Sequence, residues 1–258
     1  MADTISPAVS KPVWIDLASS DPAASREFYA KLFGWLVEVN PDPQYGGYAV
    51  AKIGGKDVAG IGPKMTPEAS TAWTVYIGTG DVATLAAKVQ SAGGSVIAPP
   101  MQIVDQGSMA VFQDPSGAYF GAWQPALMGG FVTDVPGTYS WAELNSRGFD
   151  KAAAFYAATF GWATKTTPMG QGQPPYTEFL LDGKSIAGGM EMNPMAPADM
   201  PSYWMIYFEV DDIEVAYNNA LGAGAKEMLA VQDFPGGQFA IVQDPQGAVI
   251  GLHKGARS

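Results

Sequence analysis

Apolar and polar residues alternate from Val13 to Ala18, the two-residue period of a strand with one face buried. Asp21-Pro22 follows, an N-cap with proline at the first helical position. Ala24, Phe28 and Leu32 then recur one helical turn apart, forming an apolar stripe that Gly34 closes as a left-handed C-cap. Three strands are predicted next, over 35–40, 48–53 and 56–62, with Gly54-Gly55 as a hairpin turn between the last two. The order is βαβββ, and it recurs. A strand over 72–78 precedes a helix capped by Asp81, carrying Val82, Leu85 and Val89 and closing at Gly93-Gly94. Strands near 95–97, 108–113 and 118–123 follow, the last two separated by the turn Asp114-Pro115-Ser116-Gly117.

The whole arrangement is then repeated. Phe28-Tyr29-Ala30-Lys31-Leu32-Phe33-Gly34-Trp35 returns as Phe155-Tyr156-Ala157-Ala158-Thr159-Phe160-Gly161-Trp162, 127 positions on, and the same spacing joins Trp14 to Trp141 and Asp16 to Glu143. The offset drifts to 128 between Gly55 and Gly183, 131 between Trp73 and Trp204, and 130 between Asp114 and Asp244, as loop insertions make it do. The second half therefore predicts a strand at Tyr139 to Leu144, a helix at 150–160, a strand at 202–210, a helix from Asp212 ended by Gly222, and strands to His253. The expected fold class is α+β, in two tandem domains of paired βαβββ modules. The first covers residues 1–126, a glycine-rich linker covers 127–138, and the second covers 139–258.

Composition narrows the partners more than the fold. The 258 residues are 47% apolar and 15% charged, with a net charge of −11. An acidic surface repels phosphate backbones, so nucleic acid is not expected as a partner. No cysteine is present, which removes disulfides and thiolate chemistry and fits a reducing compartment. Met1 to Pro12 has one lysine and no apolar run, and no apolar stretch approaches the roughly 20 residues of a membrane helix. A cytoplasmic protein without a membrane partner is the expectation.

The paired modules, the Phe-Tyr-x-x-x-Phe-Gly-Trp segment after each opening helix, and Asp-Pro-x-Gly before the last strand together resemble the vicinal-oxygen-chelate superfamily. That superfamily includes glyoxalase I, bleomycin-resistance proteins and extradiol dioxygenases. The chain is similar to its bacterial tandem glyoxalase-like proteins, often labelled glyoxalase or hydroxylase. The resemblance implies one curled mixed sheet per domain, concave on one side with helices outside. In metal-dependent members, His, Glu or Gln side chains on the concave face hold a divalent metal. Counting from matched landmarks, those positions fall at Trp14 and Trp141, Thr74 and Met205, and Gly121 and Gly251. Tryptophan, methionine and glycine supply no suitable donor to a divalent cation, so no metal and no other cofactor is expected. His253, the only histidine, reads as a tail-end surface residue.

Strand alternation then lines the concave faces. With Trp14 and Trp141 pointing inward, so do Asp16 and Glu143, joined by Tyr76, Met205, Tyr207 and Glu209 and by Tyr119 and Trp123 from a last strand. Gly121 and Gly251 are expected to leave room where a ligating side chain would stand. An aromatic hollow with a few polar groups suits a small planar or aromatic metabolite or drug, the tryptophans stacking and the acids accepting hydrogen bonds. The plain alternative is that the tryptophans are core residues and the acids bond backbone amides or a tyrosine. Four functions follow: a metal-independent binder in the manner of bleomycin-resistance proteins; a lyase, isomerase or hydroxylase-associated enzyme with Asp16 or Glu143 as acid or base; a metal-dependent glyoxalase or dioxygenase; and a structural or partner-binding protein with filled cups. The first is preferred, with a small molecule as partner and a monomer or weak homodimer as the assembly.

Overall fold

The computed structural model describes residues 9–126, 131–170 and 172–256. In the first half the order is β1 (Pro12–Ser19), α1 (Pro22–Phe33), β2 (Leu36–Val39), β3 (Ala49–Ile53), β4 (Lys56–Pro63), β5 (Ala72–Gly78), α2 (Val82–Ser91), β6 (Ser95–Ile103), β7 (Gly107–Gln113) and β8 (Tyr119–Pro125). The second half repeats it: β9 (Tyr139–Ser146), α3 (Phe149–Phe160), β10 (Ala163–Thr167), β11 (Tyr176–Leu181), β12 (Lys184–Glu191), β13 (Tyr203–Glu209), α4 (Ile213–Gly222), β14 (Lys226–Phe234), β15 (Gly237–Gln243) and β16 (Val249–Gly255). Each half forms one eight-stranded mixed sheet, in the orders β2-β3-β4-β1-β5-β8-β7-β6 and β10-β11-β12-β9-β13-β16-β15-β14. Hairpin neighbours are antiparallel, while β1 with β4, β5 with β8, β9 with β12 and β13 with β16 are parallel. The α+β class and the tandem βαβββ modules stand as expected. No helix among the described residues is long and apolar enough to cross a membrane.

Local chemistry sets the element ends. Asp21 accepts from the Ala24 amide at 3.1 Å, Asp81 from the amides of Ala83 and Thr84, and Asp212 from that of Val215. Gly34 and Gly161 end α1 and α3 at φ 72° and 76°, a left-handed conformation that favours glycine. The start of α3 differs from expectation. Its N-cap is Gly148, and the orphan amides of Gly148 and Phe149 donate to the Glu191 carboxylate at 2.9 and 2.7 Å, so a distant acid replaces a local cap. Strand β6 runs past its expected end through Pro99-Pro100. It lies at a sheet edge, where a missing N–H breaks no ladder bond. Of the predicted linker, residues 127–130 lie outside the described residues; farther on, Thr133 bridges to Tyr139.

The described residues gather into two compact units. The first draws on described residues within 9–14, 75–126 and 142–204, and the second on those within 15–74, 131–141 and 205–256. Each unit therefore joins a module of one half to a module of the other, and the repeated motif supplies the joint. In the second unit Tyr29 is fully buried; its hydroxyl donates to Asp244 at 2.8 Å and accepts from the Trp73 indole at 2.9 Å. In the first unit Tyr156 donates to Asp114 at 3.1 Å and accepts from Trp204 at 2.8 Å. The motif tryptophans act likewise. Trp35 donates to the Gly137 carbonyl at 2.7 Å and Trp162 to that of Ser10 at 2.6 Å. Asp114 and Asp244 also accept the backbone amides of their own turns, so each Asp-Pro-x-Gly is a fully used buried acceptor. Burial first, then the neighbouring carboxylate, pushes both tyrosine hydroxyls well above their ordinary pKa. Burial also raises the Asp244 carboxyl, against the hydrogen bonds it accepts.

Candidate functional site

Which strand faces lie away from the helices follows from the core. Trp73 and Trp204 turn toward the helix tyrosines they bond, so Thr74 and Tyr76 on β5, and Met205, Tyr207 and Glu209 on β13, face the other way. Ile15, Leu17, Ala142 and Leu144 are buried at 1% exposure or less, which puts Trp14, Asp16, Trp141 and Glu143 on the opposite face of β1 and β9. Phe120, Ala122, Ile250 and Leu252 do the same for β8 and β16, leaving Tyr119, Gly121 and Trp123, and Gly251 and His253, on the side away from the helices.

One register recurs in all four modules. Each opening strand pairs in parallel with the last strand of its module, and a glycine sits across from a larger residue: Asp16 from Gly60, Tyr76 from Gly121, Glu143 from Gly188, and Tyr207 from Gly251. The residues level with Gly121 and Gly251 are therefore Tyr76 and Tyr207, two positions beyond the Thr74 and Met205 reached by counting along the sequence.

The room expected at those glycines is taken. A Cβ at Gly121 would overlap the Tyr76 ring, and one at Gly251 the Tyr207 ring. Tyr48 covers Gly60 and Tyr176 covers Gly188 in the same way. The glycines serve as seats for aromatic rings rather than as gaps. The sequence held the signal, since Tyr48 and Tyr176 are 128 positions apart, the offset of Gly55 and Gly183. These levels offer one carboxylate, two tyrosines or two glycines, and nowhere among the described residues do three His, Cys, Asp or Glu side chains converge. The donor set does not fit a divalent cation held in the manner the resemblance implied.

The first unit holds Trp14, Tyr76, Tyr119, Trp123 and Glu143. Trp14, Tyr76 and Trp123 are buried, whereas Tyr119 is 52% exposed. The Trp123 ring lies over Gly107, and its buried indole N–H has no acceptor among the described residues. Glu143 is half-buried and accepts from the Asn145 amide at 3.1 Å. Its charge adds to burial in raising the Tyr203 pKa.

The second unit holds Asp16, Trp141, Met205, Tyr207 and Glu209. Asp16 accepts from the Tyr48 hydroxyl at 3.3 Å, as the plain reading of that acid expected. Met205 and Tyr207 are buried at 5% and 7% exposure. From Tyr207 an aromatic row continues edge-on to Phe239, with centroids 6.3 Å apart, then to Phe234 at 5.7 Å and to His253 at 5.7 Å. His253 is no loose tail residue. It lies in β16 directly across from Glu209, its side chain is 22% exposed, and its Nδ1 is 2.9 Å from the Glu209 carboxylate. The other Glu209 oxygen accepts the Gly255 amide at 3.0 Å. Phe234, Phe239 and the His253 pairing were missed from sequence; strand parity with Gly251 was the available signal for His253. A groove of about 560 Å³ between α1 and α4, lined by Phe28, Lys31, Leu32 and Asn218 among others, lies on the helix side and includes none of these residues.

With this geometry in hand, comparison with known proteins defines the class. The chain belongs to the Glyoxalase/Bleomycin resistance protein/Dioxygenase superfamily, a model of which matches residues 11–121 and 138–252. Among individual proteins it is 37% identical over 252 residues to a Mycobacterium tuberculosis protein named "Putative glyoxylase CFP32", covering 95% of each chain. It is 37% identical over 262 residues to the anthracycline biosynthesis protein DnrV of Streptomyces peucetius, covering 95% of this chain and 94% of that one. The fold is similar to that of the Mn(II)-bound glyoxalase from Novosphingobium aromaticivorans, with a TM-score of 0.67 at 18% identity, over 95% of this chain and 82% of the other.

Proposed function

We propose that this chain binds a planar aromatic small molecule on the strand faces turned away from its helices, without a metal ion taking part. The observation that carries the reading is the aromatic row Tyr207–Phe239–Phe234, flanked by Met205 and ending at Glu209 and His253. Beside it, the last-strand metal-ligand position is Gly251, which the Tyr207 ring covers. Small-molecule sites are built this way, mostly apolar with a few placed polar groups. A flat ligand that removed about 200 Å² of apolar surface from water would gain roughly 5 kcal/mol. Association costs at least about 4 kcal/mol, so stacking alone binds weakly and a polar anchor must supply the rest. The similarity to a protein named for anthracycline biosynthesis supports the same class of ligand, since anthracyclines are flat, hydroxylated polycyclic aromatics.

Isothermal titration and thermal-shift measurements with a panel of naphthols, anthraquinones and an anthracycline test the reading. A micromolar dissociation constant for at least one planar compound is expected, weakened several-fold by Phe239→Ala. No heat and no shift across the panel would overturn binding. A stoichiometric divalent cation retained by the purified protein, and required for binding, would overturn its metal independence.

A further inference from the structure

We infer that Glu209 and His253 form a dyad that recognises a hydroxyl group carried by the aromatic ligand. The inference rests on the binding reading above and names the chemistry that its polar anchor selects. A carboxylate only accepts hydrogen bonds, so with Nδ1 of His253 2.9 Å from Glu209 Oε2 the ring proton sits on Nδ1. A neutral imidazole in that tautomer presents Nε2, on the far side of the ring, as an acceptor. The tautomer is held firmly, because Glu209 is itself fixed through its second oxygen by the Gly255 amide. Among the described residues, the side-chain hydrogen bonding of His253 is confined to Nδ1.

Placement gives this acceptor a task. The His253 ring is partly accessible and meets Phe234, which is 37% exposed, with an interplanar angle of 46°. An aromatic ligand in van der Waals contact with Phe234 would carry an edge substituent toward the imidazole. A phenolic hydroxyl donates to Nε2; a methyl ether at the same position has no proton to give and leaves the acceptor unpaired.

The fold does not require the dyad. In the other half the same register places Gly78 across from Trp123, and the sheet forms there without an ionisable group. A partly buried carboxylate–imidazole hydrogen bond also contributes little net stability, which leaves recognition as the reason for its presence.

The test is isothermal titration of the full chain with anthraflavic acid, a dihydroxyanthraquinone, and with its dimethyl ether. The wild-type protein is expected to prefer the dihydroxy compound by about tenfold or more, the worth of one hydrogen bond with its partner left unpaired. In His253→Phe that preference should collapse while affinity for the ether changes less than about twofold. The Phe variant copies the aromatic character of Trp123; should circular dichroism show that it fails to fold, His253→Leu is read in its place. Equal binding of the two probes to the wild-type protein, or a preference that survives in the variant, overturns the dyad and leaves the binding reading intact. Failure of both probes to bind the wild-type protein overturns the dyad, and the binding reading falls with it when the wider panel is silent as well.

Discussion

Gly78 faces Trp123 across β5 and β8, while Glu209 faces His253 across β13 and β16. The two pairs occupy the same register of duplicated modules, yet one is a glycine beside a buried indole and the other a carboxylate beside an imidazole. Elsewhere the copies agree closely. Tyr29 and Asp244 in one unit repeat as Tyr156 and Asp114 in the other, each with an indole donor behind the tyrosine. What duplication kept is the bonding that joins the modules; among what it changed are residues on the faces away from the helices. A scaffold that folds with either pair is free to vary chemistry at that level, which is why family membership alone does not assign an activity here.

The sharpest way to break this comparison is to attack the shared part. Asp244→Ala would strand two turn amides and the Tyr29 hydroxyl in a dry interior, and Asp114→Ala would do the same for its own set. Each loss is expected to cost about 3–5 kcal/mol in denaturant unfolding, and nearly the same in both copies. A loss below about 1 kcal/mol, or one copy far more sensitive than the other, would show that the two relays are not equivalent.

The glycine seats come next. Gly251→Ala and Gly121→Ala should each cost about 1–3 kcal/mol, because the added methyl meets a tyrosine ring that cannot leave without opening a gap. Pairing Gly251→Ala with Tyr207→Ala should recover part of that cost, a positive coupling that an unrelated backbone effect would not give.

The smallest effect is one of pH. Burial holds the Asp244 carboxyl above its ordinary value in the folded protein, so the native state binds that proton more tightly than the unfolded chain does. Its contribution to stability is therefore fullest below the unfolded value, near 3.9, and falls as pH rises through the folded one. The stability of the wild-type protein relative to Asp244→Asn should decrease between about pH 3.5 and pH 7. A difference that stays flat or grows with pH contradicts the sign.

Much of the fold was legible because it depends on near neighbours. Asp21, Asp81 and Asp212 cap their helices as read, and the double-glycine turn at 54–55 adopts positive φ at both positions. The failures share a cause. Gly148 needs an acid 43 positions away in place of a local cap, and Asp244 reads as a turn residue until Tyr29 arrives from 215 positions upstream. Gly121 and Gly251 looked like vacancies because their occupants stand on adjacent strands. Parity along a strand gave the right face for Asp16, Glu143, Tyr76 and Tyr207, but it was silent on what each would touch. His253 reads as a tail residue by its position in the sequence, although its parity with Gly251 places it on the same face.

The crossed tyrosine–aspartate bonds carry one more consequence. Because every compact unit is assembled from both repeats, a protease cut between residues 126 and 131 would sever the polypeptide without releasing either fragment. The nicked material should travel as one particle in gel filtration and come apart only when it is denatured. A repeat produced by itself would offer its aspartate turn to the tyrosine helix of a second copy, rebuilding as a pair what the fused gene delivers in a single strand of protein.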